Sequence, residues 1–548
     1  MSEPIKVFRA RKILTMARNR PVATHVALRE GRILAVGDAE DAAGWGEPID
    51  DRFADKVLMP GLVEAHCHAM EGAVWADTFL GFFPRHSPEG SLEGGIRSIE
   101  DAVQRLQRAE AALTDLDQPL LAWGFDPIYY GGARMTRHDL DRVSTTRPVL
   151  VMHASFHIMN VNTVVLDKGG LFQVTGVEGI LRDGQGDVTG ELQEMAAMQY
   201  ARQAVGAKFA LTETSIASLR RFGRSATNAG VTTCTDLYAP LDDAALDAYV
   251  AATAAEDFPV RIAPAMAAAA WAPEAGIARM AVLKERANDK FHPGLVKVMT
   301  DGSIQGFTAR LKWPGYHNGA PNGIWNQPPA VLKAQIKAYN AAGIQMHIHV
   351  NGDQASEFAI DCLAETLTEA PFPDHRHVLQ HCQMADAAQF RRMAALGIAA
   401  NLFANHIYYW GDQHAALTMG PDRARRMDAC GTAKAEGVRF AMHSDAPITP
   451  LAPLFTAWCA VNRQTATGRE LGPEEKISVA DALHAITLGA AWQLRLDHVV
   501  GSIEVGKYAD FAVLEDDPTG IAPEALKDIR IWGTILGGTP HQSAIGAA

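Results

Sequence analysis

The sequence predicts an α/β protein built around a TIM-like (β/α)8 barrel, with a β-sandwich formed from both termini and a subdomain inserted after barrel strand 1. Three observations support this: the chain has 548 residues, short apolar strands alternate with helical patterns through its middle, and both ends are rich in strands. We predict a composite sandwich from residues 1–56 and 486–548, a barrel from 57–485, and an insertion at about 75–220.

The terminal sandwich is predicted from β-branched, alternating segments at the two ends of the chain. Near the start these are residues 6–8, 25–28 and 32–36, separated by turn residues. Near the end the same style recurs at 501–507, 509–514 and 529–535. We expect the two sets of strands to pair with one another.

The barrel is predicted from eight short apolar strands. Seven of them follow one another between residues 230 and 445, at spacings near the roughly 31 residues per unit of a 250-residue barrel. The long gap between the first strand and the second holds the insertion. The predicted strands are residues 57–63, 231–236, 260–265, 295–300, 344–350, 377–381, 398–403 and 438–444.

Composition restricts the class of protein. The net charge of −13, with 48% hydrophobic and 21% charged residues, is typical of a soluble globular protein and argues against a nucleic-acid partner. The six scattered cysteines form no CxxC motif and predict buried, reduced thiols. The chain start lacks an apolar signal region, and the uncharged runs at 148–166 and 393–411 contain His and Asn. We therefore expect a cytoplasmic protein without a membrane span. We also predict a homo-oligomer, specifically a homodimer.

The first predicted barrel strand ends in His66, Cys67 and His68. Side chains alternate along a strand, so His66 and His68 project to the same side, where two imidazoles can bind one cation. An HxH pattern alone is weak evidence. Its position at a barrel strand end strengthens it, because active sites of such barrels lie where the C-terminal ends of the strands meet.

Four later strands supply further candidate ligands. Lys297 lies in an apolar run of strand four, where an unpaired ammonium is costly. Either a salt bridge, to Asp301 or Asp236, or a carbamate that bridges two metals would relieve this cost. His349, His381 and Asp445 lie at the ends of strands five, six and eight. Together these residues predict a metal site.

With this set of residues the sequence resembles the amidohydrolase superfamily over nearly its whole length. The resemblance implies that one or two divalent metals are bound by residues at the barrel strand ends, with the strand-four lysine carboxylated in a binuclear site. Residues 501–518 resemble the closing pattern of the superfamily. Within it the chain is most similar to the amidohydrolase 3 group, which includes N-substituted formamide deformylase, through residues 123–126, 147–150 and 188–194. The implied ligands are His66, His68, Lys297, His349, His381 and Asp445.

Strand five departs from the group's pattern because an extra histidine, His347, precedes His349. Alternation places both side chains on the same side of the strand, so His347 either supports the ligands or competes with them. Alignment with Gly352 and Asp353 assigns the ligand role to His349.

The resemblance implies a mechanism in which a metal-bound water attacks a polarised carbonyl and Asp445 carries the proton to the leaving nitrogen. Zinc is the favoured metal, with manganese or iron able to use the same ligands. His157 either binds substrate or is a structural histidine of the insertion. Trp123 and Tyr409 belong to aromatic loops that either line an apolar substrate pocket or pack the insertion on the barrel.

We thus predict a metal-dependent amidohydrolase that cleaves a C–N bond (amide, formamide or cyclic amide) in a small aromatic or apolar molecule. The alternatives are a decarboxylase or isomerase of the same superfamily, and an esterase or lactonase. A metal-stabilised binding protein is a third class, which we would expect to lack the base, Asp445.

Overall fold

The computed structural model describes residues 4–45, 49–115, 117–177, 179–206 and 213–546. The two ends of the chain meet in one seven-stranded sheet, where the strand Ile49–Pro60 pairs with Lys6–Leu14 on one side and with Phe511–Leu514 on the other. In spatial order its strands are Thr539–Gln542, Ile531–Leu536, Phe511–Leu514, Ile49–Pro60, Lys6–Leu14, Val22–Arg29 and Arg32–Gly37. The two-layer sandwich and the exact domain limits stay predictions.

The parallel strands carry the middle of the chain and fall into two sheets. Because these strands are buried on both faces, they read as continuous apolar runs rather than as alternating ones. The three-stranded sheet comprises Leu62–Glu64, Val231–Cys234 and Arg261–Ile262, and the six-stranded sheet comprises Ala265–Ala267, Leu295–Met299, Gln345–Val350, Val378–His381, Ala399–Leu402 and Phe440–Met442.

Two backbone hydrogen bonds join the segments that follow the first and last parallel strands. Asp445 N donates to His66 O over 3.0 Å, and His68 N donates to Ala446 O over 2.7 Å. These bonds bring the HxH segment beside Asp445, although closure of all eight strands into one barrel stays a prediction.

Two predicted barrel strands are wrong as single elements. Residues 260–265 divide into Arg261–Ile262 and Ala265–Ala267, which lie in different sheets, and residues 57–63 also divide. The structure divides residues 57–63 at Gly61: Ile49–Pro60 belongs to the terminal sheet and Leu62–Glu64 begins the parallel one. A Cβ on Gly61 would lie 1.8 Å from Thr232 Oγ1, so only glycine allows this close approach. The predicted strand at 501–507 is also wrong, because Gly501 and Gly506 adopt positive φ angles (86° and 88°) that interrupt an extended backbone.

Between the Leu62–Glu64 and Val231–Cys234 strands lies a mixed α/β region with a separate sheet. The strand order is Ile180–Arg182, Val188–Gln193, Ile158–Val161, Val149–His153, Leu120–Phe125 and Thr78–Phe79. A short hairpin of Arg85–His86 and Leu92–Glu93 accompanies it. The helices of this region are Met70–Val74, Ile99–Ala112, Arg137–Asp141, Thr163–Lys168, Glu194–Val205 and Ile216–Asn228.

Helices follow the parallel strands and begin at residues suited to that position. Asp386 caps the Ala387–Leu396 helix by accepting from Gln389 N, and Gly397 ends it in the left-handed conformation (φ 71°). The remaining helices are Ala39–Ala42, Asp243–Ala254, Pro273–Glu285, Pro329–Ala341, Asp353–Glu369, Asn405–Gln413, Pro421–Ala424, Cys430–Ala435, Pro453–Asn462, Val479–Ala485 and Leu488–Gln493.

The described cysteines and helices agree with two expectations drawn from the sequence. All six cysteines are buried free thiols, as predicted. Within the described ranges, no helix combines the length and apolarity that a membrane crossing requires.

Candidate metal centre

The structure brings together all six side chains that the sequence proposes as metal ligands. His66 and His68 follow the Leu62–Glu64 strand, and their imidazoles approach one oxygen of Asp445. His66 Nε2 lies 3.1 Å and His68 Nε2 lies 3.2 Å from Asp445 Oδ1. Lys297 Nζ approaches the same ring, 3.4 Å from His66 Nε2.

The other two histidines complete the cluster from neighbouring strands. His381 Nε2 lies 3.0 Å from His349 Nδ1, and His381 Nδ1 lies 3.8 Å from Asp445 Oδ2. The rings of His66 and His381 have centroids 4.7 Å apart. The set His66, His68 and Asp445 has ligand atoms close enough together to hold one ion.

A chain of hydrogen bonds beneath the cluster fixes the tautomer of His66. His347 Nε2 lies 3.2 Å from the carbonyl of Gln493, which can only accept, and 3.3 Å from Gln345 Nε2, which already donates to that carbonyl; we therefore assign the proton to His347 Nε2. Burial lowers the pKa of His347 to about 3, so its Nδ1 is bare and accepts from Gln380 Nε2 over 2.7 Å. Gln380 Oε1 then faces His66 Nδ1 at 2.7 Å, which must carry a proton.

The hydrogen bonds of His347 show whether it supports the candidate ligands or competes with them. Its ring nitrogens contact Gln380, Gln345 and the Gln493 carbonyl. His349, two residues further along the strand, reaches His381 instead. His347 therefore supports the cluster from below, and His349 lies within it.

The fixed tautomer makes the contact between His66 and Asp445 a contact between two lone pairs. Burial, followed by the charge of Lys297, lowers the pKa of His66 to about 3, so the ring is neutral and its Nε2 has no proton. Two acceptors at 3.1 Å repel unless a cation lies between them. Ligands at zinc bond lengths of about 2.0–2.2 Å in a tetrahedron are about 3.3–3.6 Å apart, and the observed 3.1 and 3.2 Å are only slightly shorter than that spacing.

The charges around the cluster also favour a cation. Burial alone would raise the pKa of Asp445, but the hydrogen bond from His68 opposes burial, and the pKa lies well below its usual range. Burial alone would lower the pKa of His68, but Asp236 and Asp445 outweigh it and raise that pKa. His381 Nδ1 is a buried nitrogen without a hydrogen-bond partner among the described residues.

Three residues at the cluster have a strained backbone. His381, Cys382 and Asp445 have φ angles of 68°, 49° and 54°, in the left-handed region that non-glycine residues rarely adopt. Each such residue costs on the order of 1–2 kcal/mol. Such strain persists where the surrounding structure enforces it, as at ligand sites.

Lys297 is 1% exposed, and burial lowers its pKa to about 7. Neither predicted salt bridge, to Asp301 or to Asp236, forms within the described ranges of the chain. Asp301 instead accepts from the backbone amides of Arg310, Asn351 and Gly352, over 2.9 to 3.1 Å. Neither named carboxylate therefore pairs with Lys297, and Asp445 is the carboxylate whose charge opposes burial in setting the pKa of the lysine.

Two residues at the centre have no counterpart in the sequence prediction. Glu64 is buried and accepts from His66 N and from both Ser444 N and Ser444 Oγ, so it ties the HxH segment to the segment that carries Asp445. His443 stacks on His66 with ring centroids 4.3 Å apart, and neither of its ring nitrogens has a partner among the described residues. His66, His381 and His443 form a second group able to hold an ion. Period-2 alternation places His443 on the side of Asp445, a signal that could have found it.

The three candidate substrate contacts have different surroundings. His157 lies beside the cluster, with its ring centroid 5.9 Å from that of His349 and its Nδ1 2.9 Å from Glu194 Oε2. Tyr409 packs on Phe83 in an aromatic group beyond the cluster. Trp123 is 1% exposed and packs on other aromatic rings inside the inserted region. The structure brings His157 to the centre but not Trp123, because the strand Leu120–Phe125 is buried on both faces.

Comparison with known proteins gives matches along most of the chain. A sequence model of the amidohydrolase family matches residues 54–541. The N-substituted formamide deformylase of Arthrobacter pascens is 26% identical over 96% of this chain and 96% of its own length. Protein LONG AFTER FAR-RED 3 of Arabidopsis thaliana is 26% identical over 96% of this chain and 89% of its own length.

Solved structures with the same fold include a metal-dependent hydrolase and a chlorohydrolase that was solved with zinc. An uncharacterized metal-dependent hydrolase from Pyrococcus horikoshii aligns with a TM-score of 0.72 and 20% identity, over 95% of this chain and 99% of its own. Atrazine chlorohydrolase TrzN from Arthrobacter aurescens, complexed with zinc, aligns with a TM-score of 0.53 and 13% identity, over 99% and 96%. At these identities the likeness is one of fold.

Proposed function

Because the chain belongs to the amidohydrolase family, we propose that it is a metal-dependent hydrolase that cleaves a C–N bond of an amide, formamide or cyclic amide in a small molecule. One observation carries the proposal: the bare Nε2 of His66 faces the carboxylate of Asp445 at 3.1 Å, a contact that a shared cation relieves. The formamide deformylase among the relatives supports the choice of bond.

The residues present fit a divalent metal, and zinc suits a set of imidazole nitrogens and a carboxylate. We assign the ligands to His66, His68, His349, His381 and Asp445, with Lys297 as a carboxylated bridging ligand when two ions are bound. Lys297 is buried and forms no salt bridge within the described part of the chain, which supports the carbamate. When bound, the metal would polarise a carbonyl group and acidify a water molecule.

The protein's own groups would then guide the reaction. Asp445 accepts a proton from the attacking water and delivers it to the leaving nitrogen as the C–N bond breaks. The new C–O bond leaves a carboxylic acid and an amine. His157, held by Glu194 Oε2 at 2.9 Å, is placed to bind the substrate carbonyl oxygen on the side of His349.

The test is turnover by Asp445→Asn on a panel of N-substituted formamides and aryl amides, at saturating zinc, with metal content measured in the same samples. Loss of a general base removes about 10²–10⁴-fold of rate, so we expect a fall of that size with at least one zinc retained. Asp428→Asn is the matched control, because Asp428 is equally buried but bonds to His406. Full activity in Asp445→Asn would show that Asp445 is not the base.

A parallel panel of esters and lactones separates the related chemistries. The proposed function predicts that formamides or amides give the highest kcat/KM. If only esters or lactones turn over, the bond assignment is wrong while the metal-dependent hydrolase remains.

A further inference from the structure

A buried arginine of the inserted region reaches the Asp445 segment, which we define as residues 445–449. Arg85 is 7% exposed. Its Nη1 donates to the carbonyl of Pro447 over 2.6 Å, and its Nη2 donates to the carbonyl of Thr449 over 3.3 Å. The guanidinium therefore binds two backbone carbonyls that directly follow Asp445.

The same guanidinium contacts the helix that follows the HxH segment. Arg85 Nη2 donates to Glu71 Oε2 over 2.6 Å, and the Glu71 side chain is 3% exposed. Trp75 Nε1 donates to Glu71 Oε1 over 2.9 Å, which fixes the carboxylate on its other side. The backbone of Glu71 is tied to the HxH segment, since its N donates to His68 O over 3.0 Å. Arg85 thus bridges the HxH segment and the Asp445 segment.

The two bridged segments carry side chains that meet in the metal centre. His68 Nε2 lies 3.2 Å from Asp445 Oδ1, and His68 N donates to Ala446 O over 2.7 Å. Asp445 has a φ angle of 54°, a conformation that persists where the surrounding contacts enforce it. Metal ligands have to be held within about 0.5 Å of their working geometry. Contacts that fix these two segments therefore bear on metal affinity.

Stability alone does not explain a buried pair of Arg85 and Glu71. The cost of removing two charges from water offsets their attraction, so a buried ion pair is weak evidence for stability. The guanidinium instead donates to three acceptors on two segments at once. Its rigid fork of donors provides a geometry that a neutral side chain of similar length does not provide.

We propose that Arg85 is a positioning residue for the metal centre: its guanidinium holds the Asp445 segment against the HxH segment, and the inserted region thereby sets the affinity for a divalent cation. The inference rests on the metal centre of the proposed function and not on the bond that is cleaved. It gives the inserted region a direct effect on metal binding.

The test is zinc binding by the full chain that carries Arg85→Met together with Glu71→Gln. This double variant removes both charges, so no unpaired ion stays buried, but it also removes the donors to Pro447 and Thr449. By competition against a chelator we expect the Kd for zinc to rise by about 5- to 30-fold, the range for residues that act without touching the ligand. Urea unfolding of the metal-free protein gives the stability.

Glu71→Gln alone separates positioning from stability. This variant keeps Arg85 and its two carbonyl contacts but leaves the buried guanidinium without a carboxylate. We expect it to lower the unfolding free energy at least as much as the double variant does, while the Kd for zinc stays close to the wild-type value. A loss of stability alone does not produce this difference in zinc affinity.

Arg85→Lys tests the fork of donors and keeps the test available if the double variant does not fold. It retains the charge that pairs with Glu71 but replaces the guanidinium with a single ammonium. We expect a folded protein whose Kd for zinc lies between those of the wild type and the double variant.

The matched control is Arg261→Met together with Asp510→Asn. Arg261 and Asp510 form a similarly buried ion pair, with Nε donating to Oδ2 over 2.7 Å. This pair joins the Arg261–Ile262 strand to the residue that precedes the Phe511–Leu514 strand of the terminal sheet. We expect the control to bind zinc with the wild-type Kd.

The outcomes separate this inference from the proposed function. A wild-type Kd for zinc in the folded Arg85 variants overturns the positioning role, as does an equal rise in the Arg261 control. Equal weakening by Glu71→Gln and the double variant overturns the role of the carbonyl contacts. Zinc binding that depends on Arg85, without turnover of any formamide or amide by the zinc-loaded wild type, supports the inference and overturns the proposed function.

Discussion

Substitution of Gln380 tests the tautomer of His66 on which the metal centre depends. Gln380→Met keeps the side-chain length but removes Oε1, which lies 2.7 Å from His66 Nδ1, and Nε2, which lies 2.7 Å from His347 Nδ1. Without that acceptor, the proton of neutral His66 can move to Nε2 and donate to Asp445 Oδ1, 3.1 Å away. In that tautomer Nε2 has no lone pair for a metal.

The loss of Gln380 as a hydrogen-bond partner of His66 should weaken zinc binding and destabilise the fold. Removing a hydrogen-bond partner of a metal-bound histidine lowers metal affinity by about 10–100-fold, so we expect the Kd for zinc to rise by that factor in Gln380→Met. The buried donor of Asn401, which lies 3.0 Å from Gln380 Oε1, also loses its acceptor. We expect the unfolding free energy of the metal-free protein to fall by about 1–3 kcal/mol.

The assay is competition for zinc against a chelator of known affinity, with urea unfolding of the metal-free protein as the stability measurement. Gln380→Glu is the informative companion, because a carboxylate accepts from His66 Nδ1 and holds the same tautomer. We expect Gln380→Glu to bind zinc about tenfold more tightly than Gln380→Met does. Gln383→Met is the matched control, since Gln383 is buried but bonds to His414.

Two results would contradict the proposed role of Gln380 in setting the tautomer of His66. A folded Gln380→Met protein with the wild-type Kd for zinc would show that Gln380 does not set the His66 tautomer. Equal weakening by Gln380→Met and Gln383→Met would trace the effect to packing rather than to the proton on His66.

Three further predictions follow from burial and contacts. Lys297→Ala should lose at least one zinc equivalent per chain by mass spectrometry of the metal, and unchanged stoichiometry would argue against the carbamate bridge. Trp123→Ala should lower the unfolding free energy by about 3–5 kcal/mol, because the ring is fully buried, while zinc affinity stays at the wild-type value; a change in KM with wild-type stability would instead support a substrate contact. Burial raises the pKa of Asp126 from 3.8 to about 6, so the folded state favours the protonated carboxylic acid. This preference stabilises the fold by about 3 kcal/mol below pH 3.8, and the stabilisation is lost as the pH rises through 6. Asp126→Asn should therefore show a smaller fall in unfolding free energy between these pH values, and an unchanged slope would assign the dependence to other groups.

Much of the candidate site could be predicted from the sequence because it depends on local spacing. The HxH pattern, Lys297, His381 and Asp445 each sit at or near the end of an apolar run, and period-2 alternation places His66 and His68 on one side. The family resemblance and the terminal sheets follow from segments of a few residues each. Such features require no knowledge of how distant strands are aligned.

The alignment of neighbouring strands determines which of the two strand-five histidines lies in the cluster. Successive side chains on one face of a strand are about 6.6 Å apart, so His347 and His349 share a face but occupy different heights. The register pairs Lys297 with His347, His349 with Gln380 and Val350 with His381, which puts His349 within one residue of the height of His381. No local pattern specifies this register, because it depends on how whole strands pack.

The spacing of residues along the chain is enough to show which residue types lie at the strand ends and that they suit a metal. Tertiary packing shows that Gln380 and His347 set the proton of His66, that Lys297 has no salt bridge among the described residues, and that Trp123 belongs to a core. The physical reason is that tautomers, orphaned polar atoms and burial are set by contacts between residues far apart in the chain. His66 and Gln380 are 314 positions apart, yet their 2.7 Å contact sets which nitrogen of His66 can bind a cation.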